Sequence, residues 1–487
     1  MTDIVLFEAN GRVHKSSPAI RQCKVLPLSL KYLQASLQKA GHECVVLAQE
    51  NKTEKELIQE IVSYSPLVVG ATATTCEFPI TSRLMTSLKK RSPSLTTVVG
   101  GYHVSAYPES LNPALCPPDT NPKGIDFLVV GEGEKTLVKL VESVKNGSSD
   151  KNIPGLVYFE KGQLNVNGPS ERIRQLDTLP IPQWTNQELE YNDFDGMISR
   201  KKGEKGYTVA VVSERGCPFG CSFCSTQKVY GKNVERRSIP HLADEIEGFV
   251  RNKNADMIVD YAPTGNLDSQ RIHEFCEEIR RRGLEKTFSM YALWRLESPN
   301  SSLMIDNGAV EDLAKTLWCF KAGIGVEAFN QEDARFLGKE HSLENLKAAS
   351  EIFDRYGAIF RGFYMITPKT TLQTVKTCST NDSLGLFDDL RVTYSTPFPG
   401  TLLYEQNRDK LMTPNWGDFT CEQPVLTSDF LNVEQLASAK NEILQGFLLN
   451  PYRHKRIQEK LQRFPELVPG MKRYHEKMAG YGFKVLS

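Results

Sequence analysis

The sequence lacks an excess of charge of either sign. Its 487 residues include 59 Lys and Arg and 59 Asp and Glu, so the formal net charge at pH 7 is zero. A neutral chain has no overall electrostatic attraction to nucleic acid phosphates or to an anionic membrane surface. A small-molecule or peptide partner is therefore favoured, and neither nucleic acid nor a membrane is expected as a partner.

Long apolar runs are also missing. No uninterrupted apolar stretch reaches the ~18–20 residues that cross a bilayer, and residues 1–15 do not have the layout of a secretory signal peptide. We therefore expect a cytoplasmic location. Because 40% of this long chain is hydrophobic, it can bury more than one core and divide into two or three domains.

The cysteines do not form a disulfide pattern. The chain has 11 of them, an odd number, and most occur singly in apolar or helical contexts. Three are concentrated in the segment GCPFGCSFC, at Cys217, Cys221 and Cys224. In a reducing cytosol, thiolates at this spacing are candidates to hold a metal.

Residues 1–145 alternate short β-rich runs with amphipathic helical patterns. The runs are residues 4–7, 44–47, 67–70, 97–99 and 127–130. Strands that alternate with helices form a parallel sheet. Thr53 and Glu56 have the spacing of a capping box at the start of one of the helices. We predict an α/β domain with a doubly wound, flavodoxin-like parallel sheet.

Small or polar residues follow the last three of these runs. Ligands of doubly wound sheets bind beyond the carboxyl ends of the strands, where glycine lets the backbone approach a bulky ligand. Ordinary turn chemistry would explain any one such loop, but three loops at one sheet edge favour a ligand. The candidate residues are Thr74, Thr75, Gly100, Gly101, His103, Gly131, Glu132 and Gly133.

A second series of strands and helices follows a looser segment. Pro180 and Pro182 exclude a helix near the end of that segment, so we interpret residues 146–202 as a linker. Residues 203–405 contain six strand and helix units, which predict a complete or an incomplete parallel barrel with its chemistry at the carboxyl-terminal mouth. The cysteine segment lies in the loop after the first strand of this series. Residues 406–487 have mainly helical patterns.

The cysteine spacing favours an iron–sulfur cluster over zinc. A structural zinc site needs four ligands, usually from two C-x-x-C pairs, and no second pair follows here. Three thiolates on one short loop suit a 4Fe-4S cluster that leaves one iron open to an outside ligand. The alternative is a zinc ion whose coordination is completed by Cys276, Cys319 or a histidine.

The segment from Cys217 to Cys224 resembles the C-x-x-x-C-x-x-C signature of the radical S-adenosylmethionine (radical SAM) superfamily. Residues 323–327, 362–368 and 396–401 resemble later barrel strands and loops of the same superfamily. The resemblance implies a partial (β/α)6 radical SAM barrel, with the cluster on the three cysteines. It also implies that S-adenosylmethionine lies near Phe223, Thr264, Gly265 and Glu327, although residues 262–265 lack the acidic pair often found there.

The front half is similar to the cobalamin-binding domain of one large branch of that superfamily. The similar stretches are residues 27–33, 100–103, 108–109 and 126–134. No D-x-H-x-x-G follows the first strand, so the resemblance implies that no histidine lies beneath the cobalt, and the loop of residues 74–78 is our candidate for the lower face. His103 either bonds to backbone beside the double-glycine turn or contacts the corrin or its nucleotide tail.

The two resemblances imply an enzyme with a 4Fe-4S cluster, S-adenosylmethionine and cobalamin as cofactors and an external electron donor of the flavodoxin or ferredoxin type. They imply a methyltransferase that uses a 5'-deoxyadenosyl radical and methylcobalamin to methylate an unactivated carbon, or less often phosphorus, of a small biosynthetic intermediate or peptide. Candidate residues of the substrate cavity are Tyr291, Trp294 and Arg295, which follow or end a barrel strand.

Three other functions remain open from the sequence. A cobalamin-dependent radical enzyme of this kind can also cyclise, oxidise or rearrange its substrate without methyl transfer. A cobalamin sensor or carrier is a possibility of another class, although a carrier has no use for an open iron. Modification of transfer RNA would use the basic tail from Asn450, but a solvated helical end explains that tail more simply.

Overall fold

The first half of the chain forms a helix-covered sheet in the computed structural model, which describes residues 2–9, 27–48, 52–148, 150–190, 198, 206–380 and 382–485. Its elements follow in the order β1 (Ile4–Glu8), α1 (Leu28–Lys39), β2 (Cys44–Ala48), α2 (Glu54–Ser63), β3 (Val68–Thr72), α3 (Phe78–Arg91), β4 (Thr96–Gly100), α4 (Tyr102–Ala106), β5 (Phe127–Val129), α5 (Glu134–Lys145), β6 (Leu156–Glu160) and β7 (Gln163–Val166). Thr53 and Glu56 form the predicted capping box at the start of α2. Residues 10–14, where a cobalt-binding histidine motif is missing from the sequence, lie outside the described residues.

The strands of this half are ordered β2-β1-β3-β4-β5-β6-β7 within the described residues. The pairs from β2 to β5 are parallel, which confirms the predicted doubly wound sheet. β6 and β7 are antiparallel and extend the sheet into the segment that we interpreted as a linker. Because all five parallel strands point the same way, their carboxyl ends form one edge, where the predicted ligand loops lie.

The second half forms a curved, open sheet. Its elements are α6 (Asn186–Glu190), β8 (Tyr207–Val211), β9 (Glu214–Arg215), α7 (Thr226–Tyr230), β10 (Glu235–Arg236), α8 (Ile239–Asn252), β11 (Ala255–Asp260), α9 (Ser269–Arg281), β12 (Ser289–Trp294), α10 (Asn307–Thr316), β13 (Phe320–Glu327), α11 (Gln331–Leu337), α12 (Leu343–Tyr356), β14 (Ile359–Ile366), α13 (Leu372–Thr380), α14 (Asp382–Gly385) and β15 (Asp389–Tyr394). Within the described chain the strand order is β15-β14-β13-β12-β11-β8, all parallel. The sheet does not close between β8 and β15, so the predicted partial six-stranded barrel is confirmed.

The last part of the chain is helical, with α15 (Leu402–Asn407), α16 (Val433–Leu448), α17 (Pro451–Arg463) and α18 (Val468–Gly480). Short 3-10 turns connect elements throughout the chain, at Pro108–Leu111, Pro113–Leu115, Pro122–Gly124, Leu176–Thr178, Arg408–Lys410, Trp416–Asp418 and Pro465–Leu467. Trp416 and Phe419 enter the core of the first sheet, together with residues of α3 and β4. The C-terminal part therefore contacts both halves of the molecule.

Several basic residues of the C-terminal tail form ion pairs and hydrogen bonds within the protein. Arg456 Nη2 lies 2.8 Å and Lys460 Nζ 2.7 Å from the buried carboxylate of Asp388, at the amino end of β15. Burial alone would raise the pKa of Asp388, but these two cations hold it below its usual range. Arg453 donates to the backbone oxygen of Asp388 at 2.7 Å. These contacts dock α17 under the barrel and favour a structural role for this cationic cluster over phosphate binding.

Three hydrophobic clusters fill the space between the sheets and their helices. The largest lies between the barrel strands and helices α8, α9, α10 and α12 and includes Phe320, Phe353 and Phe360. In the described part of the chain, no helix combines the length and the apolar character needed to cross a membrane.

Candidate active site between the two sheets

A single cavity of about 590 Å³ lies between the carboxyl edge of the first sheet and the mouth of the barrel. This volume is in the range of small-molecule and cofactor sites. The predicted residues that line it come from both halves: Gly100, Gly101, Gly131, Glu132, Gly133, Cys217, Cys221, Phe223, Cys224, Thr264, Trp294, Arg295 and Glu327. The cysteine loop and the glycine loops are more than 80 residues apart in sequence, and the fold brings them together around one cavity.

The cysteine loop is held by contacts from several elements. Gly216 precedes it with φ +99°, and a side chain there would collide with the Asn233 backbone oxygen. Gln227 Nε2 donates to the Cys217 oxygen at 2.9 Å and to the Phe219 oxygen at 2.7 Å, which clamps the first turn. Ser222 donates to the Leu337 oxygen at 2.7 Å. The loop is thus fixed by the protein itself.

All three cysteine side chains of this loop line the cavity, with Phe219 and Phe223 beside them. Thiolates next to an apolar wall suit the predicted cluster, because such a wall shields it from water. Cys276 and Cys319, the alternative zinc ligands, are instead buried in the barrel wall, on α9 and just before β13. Among the described residues, no three His, Cys or carboxylate groups form a site for a single metal ion.

Glu327 ends strand β13 with an unusual backbone. Its φ is +66°, a left-handed conformation that is rare outside glycine, and its side chain is buried. Oε1 lies 3.0 Å from Lys339 Nζ, whereas Oε2 is buried without a hydrogen-bond partner among the described residues. A side chain at Gly325 would collide with this pair. Glu327 lines the cavity, and because a buried unpaired oxygen is costly, this oxygen suits a ligand that donates a hydrogen bond.

Lys339 is a cavity residue that the sequence analysis missed. It follows α11 in an irregular loop, where no periodic pattern or motif marks it. The Lys339 ammonium reaches the Glu327 carboxylate because the chain folds back toward the end of β13 after α11. A lysine twelve residues after a strand-end glutamate is, on its own, too common a spacing to have served as a signal.

Two carboxyl groups of the cavity have raised pKa values. Burial and the neighbouring Glu77 raise the pKa of Glu8, at the end of β1, well above its usual range. Burial raises the pKa of Glu214 to about 7, although Arg236 Nε contacts its Oε2 at 3.1 Å and opposes the shift. Glu214 is therefore suited to exchange a proton close to neutral pH. The sequence analysis did not single out either residue.

The glycine loops leave room over the first sheet. Gly101 has φ +103°, and a side chain there would lie 2.7 Å from Thr72 Oγ1 and 2.8 Å from the Ala73 oxygen. The cavity continues between α1 and the strands as an apolar branch lined by Leu6, Leu30, Leu33, Gly70, Val98, Val129 and Leu137. Because glycine has no side chain, a ligand in this cavity can approach the backbone of these loops.

Five predicted site residues do not line this cavity: Thr74, Thr75, His103, Gly265 and Tyr291. Thr74 donates through its backbone N and its hydroxyl to Glu77 Oε2, both at 2.8 Å, so the loop that we expected beneath the cobalt folds on itself. Gly265 donates its backbone N–H to the Leu293 oxygen at 2.8 Å. Tyr291 is buried on β12, in contact with the Arg361 guanidinium.

His103 belongs to the core of the first sheet instead of the cavity wall. Its Nδ1 lies 3.1 Å from Thr75 Oγ1, and its ring lies 4.4 Å from that of Phe78 and 4.7 Å from that of Trp416. Burial lowers the pKa of His103 to about 3, so the ring is neutral. The side chain bonds a threonine hydroxyl, which is neither the backbone contact nor the ligand contact that the sequence suggested.

The candidate substrate residues have structural neighbours. The Trp294 ring packs against those of Phe320 and Phe353, with centroids 5.0 and 6.1 Å away. The Arg295 guanidinium carbon lies 4.0 Å from the centroid of the Phe219 ring in the cysteine loop. Of the three predicted residues, Trp294 and Arg295 line the cavity and Tyr291 does not.

Two protein-family models match the chain. Residues 22–141 match the B12 binding domain, and residues 211–379 match the Radical SAM superfamily. The first match covers most of the parallel part of the first sheet, and the second covers the barrel from the end of β8 into α13.

Relatives with assigned names are similar over most of their length. An uncharacterized methyltransferase of Pyrococcus horikoshii is 27% identical over 434 residues, which cover 87% of this chain and 88% of that protein. An anaerobic magnesium-protoporphyrin IX monomethyl ester cyclase of Rubrivivax gelatinosus is 26% identical over 440 residues, which cover 87% of this chain and 74% of that protein.

Solved structures share the arrangement of the two sheets. The radical S-adenosylmethionine methyltransferase TsrM from Kitasatospora setae, with cobalamin and a [4Fe-4S] cluster bound, superposes with a TM-score of 0.65 at 17% identity, over 94% of this chain and 90% of that chain. The cobalamin-dependent S-adenosylmethionine radical enzyme OxsB, with aqua-cobalamin bound, superposes with a TM-score of 0.62 at 15% identity, over 95% of this chain and 62% of that chain. At these identities the likeness establishes the fold.

Proposed function

Since the chain belongs to the radical S-adenosylmethionine enzymes that carry a cobalamin-binding domain, we propose that it is a methyltransferase. Its substrate would be an unactivated carbon, or a phosphorus, of a small biosynthetic intermediate or peptide. The observation that carries the proposal is the single cavity on which the cysteine loop and the glycine loops converge. A methyl donor held by one sheet and a radical source held by the other would face the same substrate atom.

The cofactors of the two domains are cobalamin, a 4Fe-4S cluster and S-adenosylmethionine. When bound, they supply a 5'-deoxyadenosyl radical and a transferable methyl group, and the protein supplies binding, orientation and exclusion of water. Cys217, Cys221 and Cys224 would hold the cluster. An external donor of the flavodoxin or ferredoxin type would supply electrons.

Residues around the barrel mouth have the charges that S-adenosylmethionine requires. The Lys339 ammonium would bind the carboxylate of its methionine part, and the unpartnered Oε2 of Glu327 would accept a hydrogen bond from a hydroxyl or amino group. Thr264, which lines the cavity beside Cys217, would contact the amino group. Phe223 would provide an apolar wall.

The glycine loops of the first sheet would hold cobalamin. Gly100, Gly101, Gly131 and Gly133 would let the backbone approach the corrin, and the apolar branch between α1 and the sheet would take its nucleotide tail. His103, Thr74 and Thr75 are not part of this proposal, because they lie outside the cavity lining. Glu132 would act by contacts within the protein, since its Oε2 accepts the Ile173 N–H at 2.9 Å.

A second function, radical cyclisation or rearrangement without methyl transfer, is favoured by the likeness to the cyclase of Rubrivivax gelatinosus. Both functions need the same cofactors and differ in whether the methyl group of S-adenosylmethionine reaches cobalamin. A cobalamin sensor or carrier would use neither the thiolates nor S-adenosylmethionine.

The test uses the full chain, purified anaerobically, with iron, sulfide and cobalamin measured per chain. The protein is reduced and incubated with S-adenosylmethionine labelled in its methyl group, and both 5'-deoxyadenosine and labelled cobalamin are quantified. We expect both products. 5'-Deoxyadenosine without labelled cobalamin would support the cyclase-type function, and absence of both products from a protein that holds iron and sulfide would contradict both enzymatic functions. Cys224→Ala, which removes one thiolate, is the control and should form no 5'-deoxyadenosine.

A further inference from the structure

Each of the three cysteine sulfurs has a polar partner that the sequence did not suggest. Two partners are neutral hydroxyls, and the third is a guanidinium. The contacts are Cys217 Sγ to Thr264 Oγ1 at 3.7 Å, Cys221 Sγ to Arg295 Nη1 at 3.6 Å, and Cys224 Sγ to Thr226 Oγ1 at 3.2 Å.

Arg295 is fixed in place by contacts along its whole length. Its backbone N–H donates to Asn266 Oδ1 at 2.8 Å, its Nε donates to the Glu297 oxygen at 2.6 Å, and its Nη1 reaches Cys221. The guanidinium also lies over the ring of Phe219, a residue of the cysteine loop itself. A cation over an aromatic face is stabilised by the ring quadrupole, so the ring and the two donor contacts together orient this group toward the thiolate.

We infer that Arg295 is a positioning residue for the cluster, which holds Cys221 and makes the cluster easier to reduce. This inference rests on the proposed assignment of the cluster to the three cysteines. Reduction adds one electron, supplied by the external flavodoxin- or ferredoxin-type donor, to a group that already carries three thiolates. Positive charge and hydrogen bonds at the sulfurs stabilise the more negative reduced state and raise the reduction potential.

The charge distribution singles out Arg295 among the three partners. The threonine hydroxyls are neutral, whereas a guanidinium remains charged at every accessible pH and forms charge-assisted hydrogen bonds. Lys339 is another cation of the cavity, but its ammonium contacts the Glu327 carboxylate, which offsets its charge. Removal of Arg295 should therefore change the cluster more than removal of Lys339.

The test measures the reduction potential of the cluster in the absence of S-adenosylmethionine. Wild type, Arg295→Gln, Arg295→Lys and the control Lys339→Gln are prepared anaerobically, iron and sulfide are quantified, and the reduced cluster is titrated by electron paramagnetic resonance. We expect a more negative potential in Arg295→Gln, an intermediate one in Arg295→Lys, and a smaller shift in Lys339→Gln. Equal potentials in wild type and Arg295→Gln, or equal shifts in Arg295→Gln and Lys339→Gln, would overturn the inference.

The outcomes separate this inference from the proposed function. A wild-type protein without iron and sulfide would contradict the cluster assignment itself, whereas an intact cluster with an unchanged potential would contradict only the role of Arg295. If Arg295→Gln does not retain the cluster, Phe219→Leu is compared with wild type, since it keeps the charge but removes the ring that orients it. A more negative potential in Phe219→Leu then supports the inference, and an unchanged one overturns it.

Discussion

Arg215 and Glu134 form a buried ion pair between the two sheets, with Nη2 and Oε1 2.6 Å apart. The other terminal nitrogen of Arg215 lies 2.8 Å from Glu132 Oε1. Arg215 immediately precedes Gly216 and Cys217, whereas Glu132 lies in the loop before α5 and Glu134 is the first residue of α5. One guanidinium therefore joins the cysteine loop to the glycine loop that would hold cobalamin, and this contact fixes the distance between the two candidate cofactor sites.

Loss of Arg215 should destabilise the molecule strongly. Arg215→Gln leaves the buried carboxylate of Glu134 without its cation and leaves Glu132 with Arg172 alone, whose Nε is 3.4 Å away. Breaking a buried pair in this way costs about 3–5 kcal/mol. We expect a clear decrease in the urea midpoint of unfolding, measured by circular dichroism. Arg83→Gln is the control, because Arg83 pairs with Glu54 on the surface and such pairs contribute about 0–1 kcal/mol. An equal effect of both substitutions would contradict a linking role for Arg215.

Lys339 should contribute to the affinity for S-adenosylmethionine. Lys339→Met removes the ammonium that would bind the ligand carboxylate, and a charge-assisted hydrogen bond contributes about 1.5–3 kcal/mol, which corresponds to an increase in Kd of about 10-fold or more. The Kd is measured by anaerobic equilibrium binding to protein with a verified iron content. Lys315→Met, at an exposed pair with Glu311, should leave the Kd unchanged. An unchanged Kd in Lys339→Met would remove Lys339 from the proposed site.

Gly131 should be needed for cobalamin binding. It has φ +84°, and a side chain there would collide with the Ser170 hydroxyl. Gly131→Ala should therefore displace the loop that we propose to hold cobalamin and lower the amount of cobalamin retained per chain, measured by absorbance after gel filtration. The matched control is Gly147→Ala, which has φ +66° but no neighbour within 4 Å. In both variants an alanine in the left-handed conformation destabilises the folded state by about 1–2 kcal/mol. Only Gly131→Ala should also lose cobalamin.

The sequence predicted the features that depend on local patterns. The β-rich runs, the capping box at Thr53 and Glu56, and the clustered cysteines are each encoded by neighbours in the chain, and the fold follows from their alternation. The residues that connect the halves were not predictable in this way. Arg215 meets its glutamates only after the two sheets are assembled, and Lys339 meets Glu327 only after the chain has folded back behind β13.

The polar residues at the strand ends illustrate the same limit. His103 follows a double-glycine turn at the predicted ligand edge, which made it a candidate contact. Trp416, more than 300 residues later, packs against its ring and helps to bury it in the core of the first sheet. The sequence gives no indication that these two residues meet, so the pattern could not separate a core histidine from a ligand contact.

His103 should make the protein less stable at mildly acidic pH. Burial lowers its pKa in the folded state to about 3, whereas an unfolded histidine has a pKa near 6.5. Below about pH 6.5 the unfolded state therefore binds a proton that the folded state does not, and stability falls by about 1.4 kcal/mol per pH unit until the folded pKa is reached. His103→Phe removes this proton and keeps an aromatic ring between Phe78 and Trp416.

The comparison of the two proteins isolates the titration of His103. His103→Phe also leaves the Thr75 hydroxyl without its partner. That loss of stability does not depend on pH, so it cancels when the stability of each protein at pH 5 is compared with its own stability at pH 7. Between pH 7 and pH 5, urea unfolding should show that wild type loses about 2 kcal/mol more stability than the variant. Parallel losses in the two proteins would mean that the folded-state pKa of His103 is not lowered, which would contradict the effect of its burial.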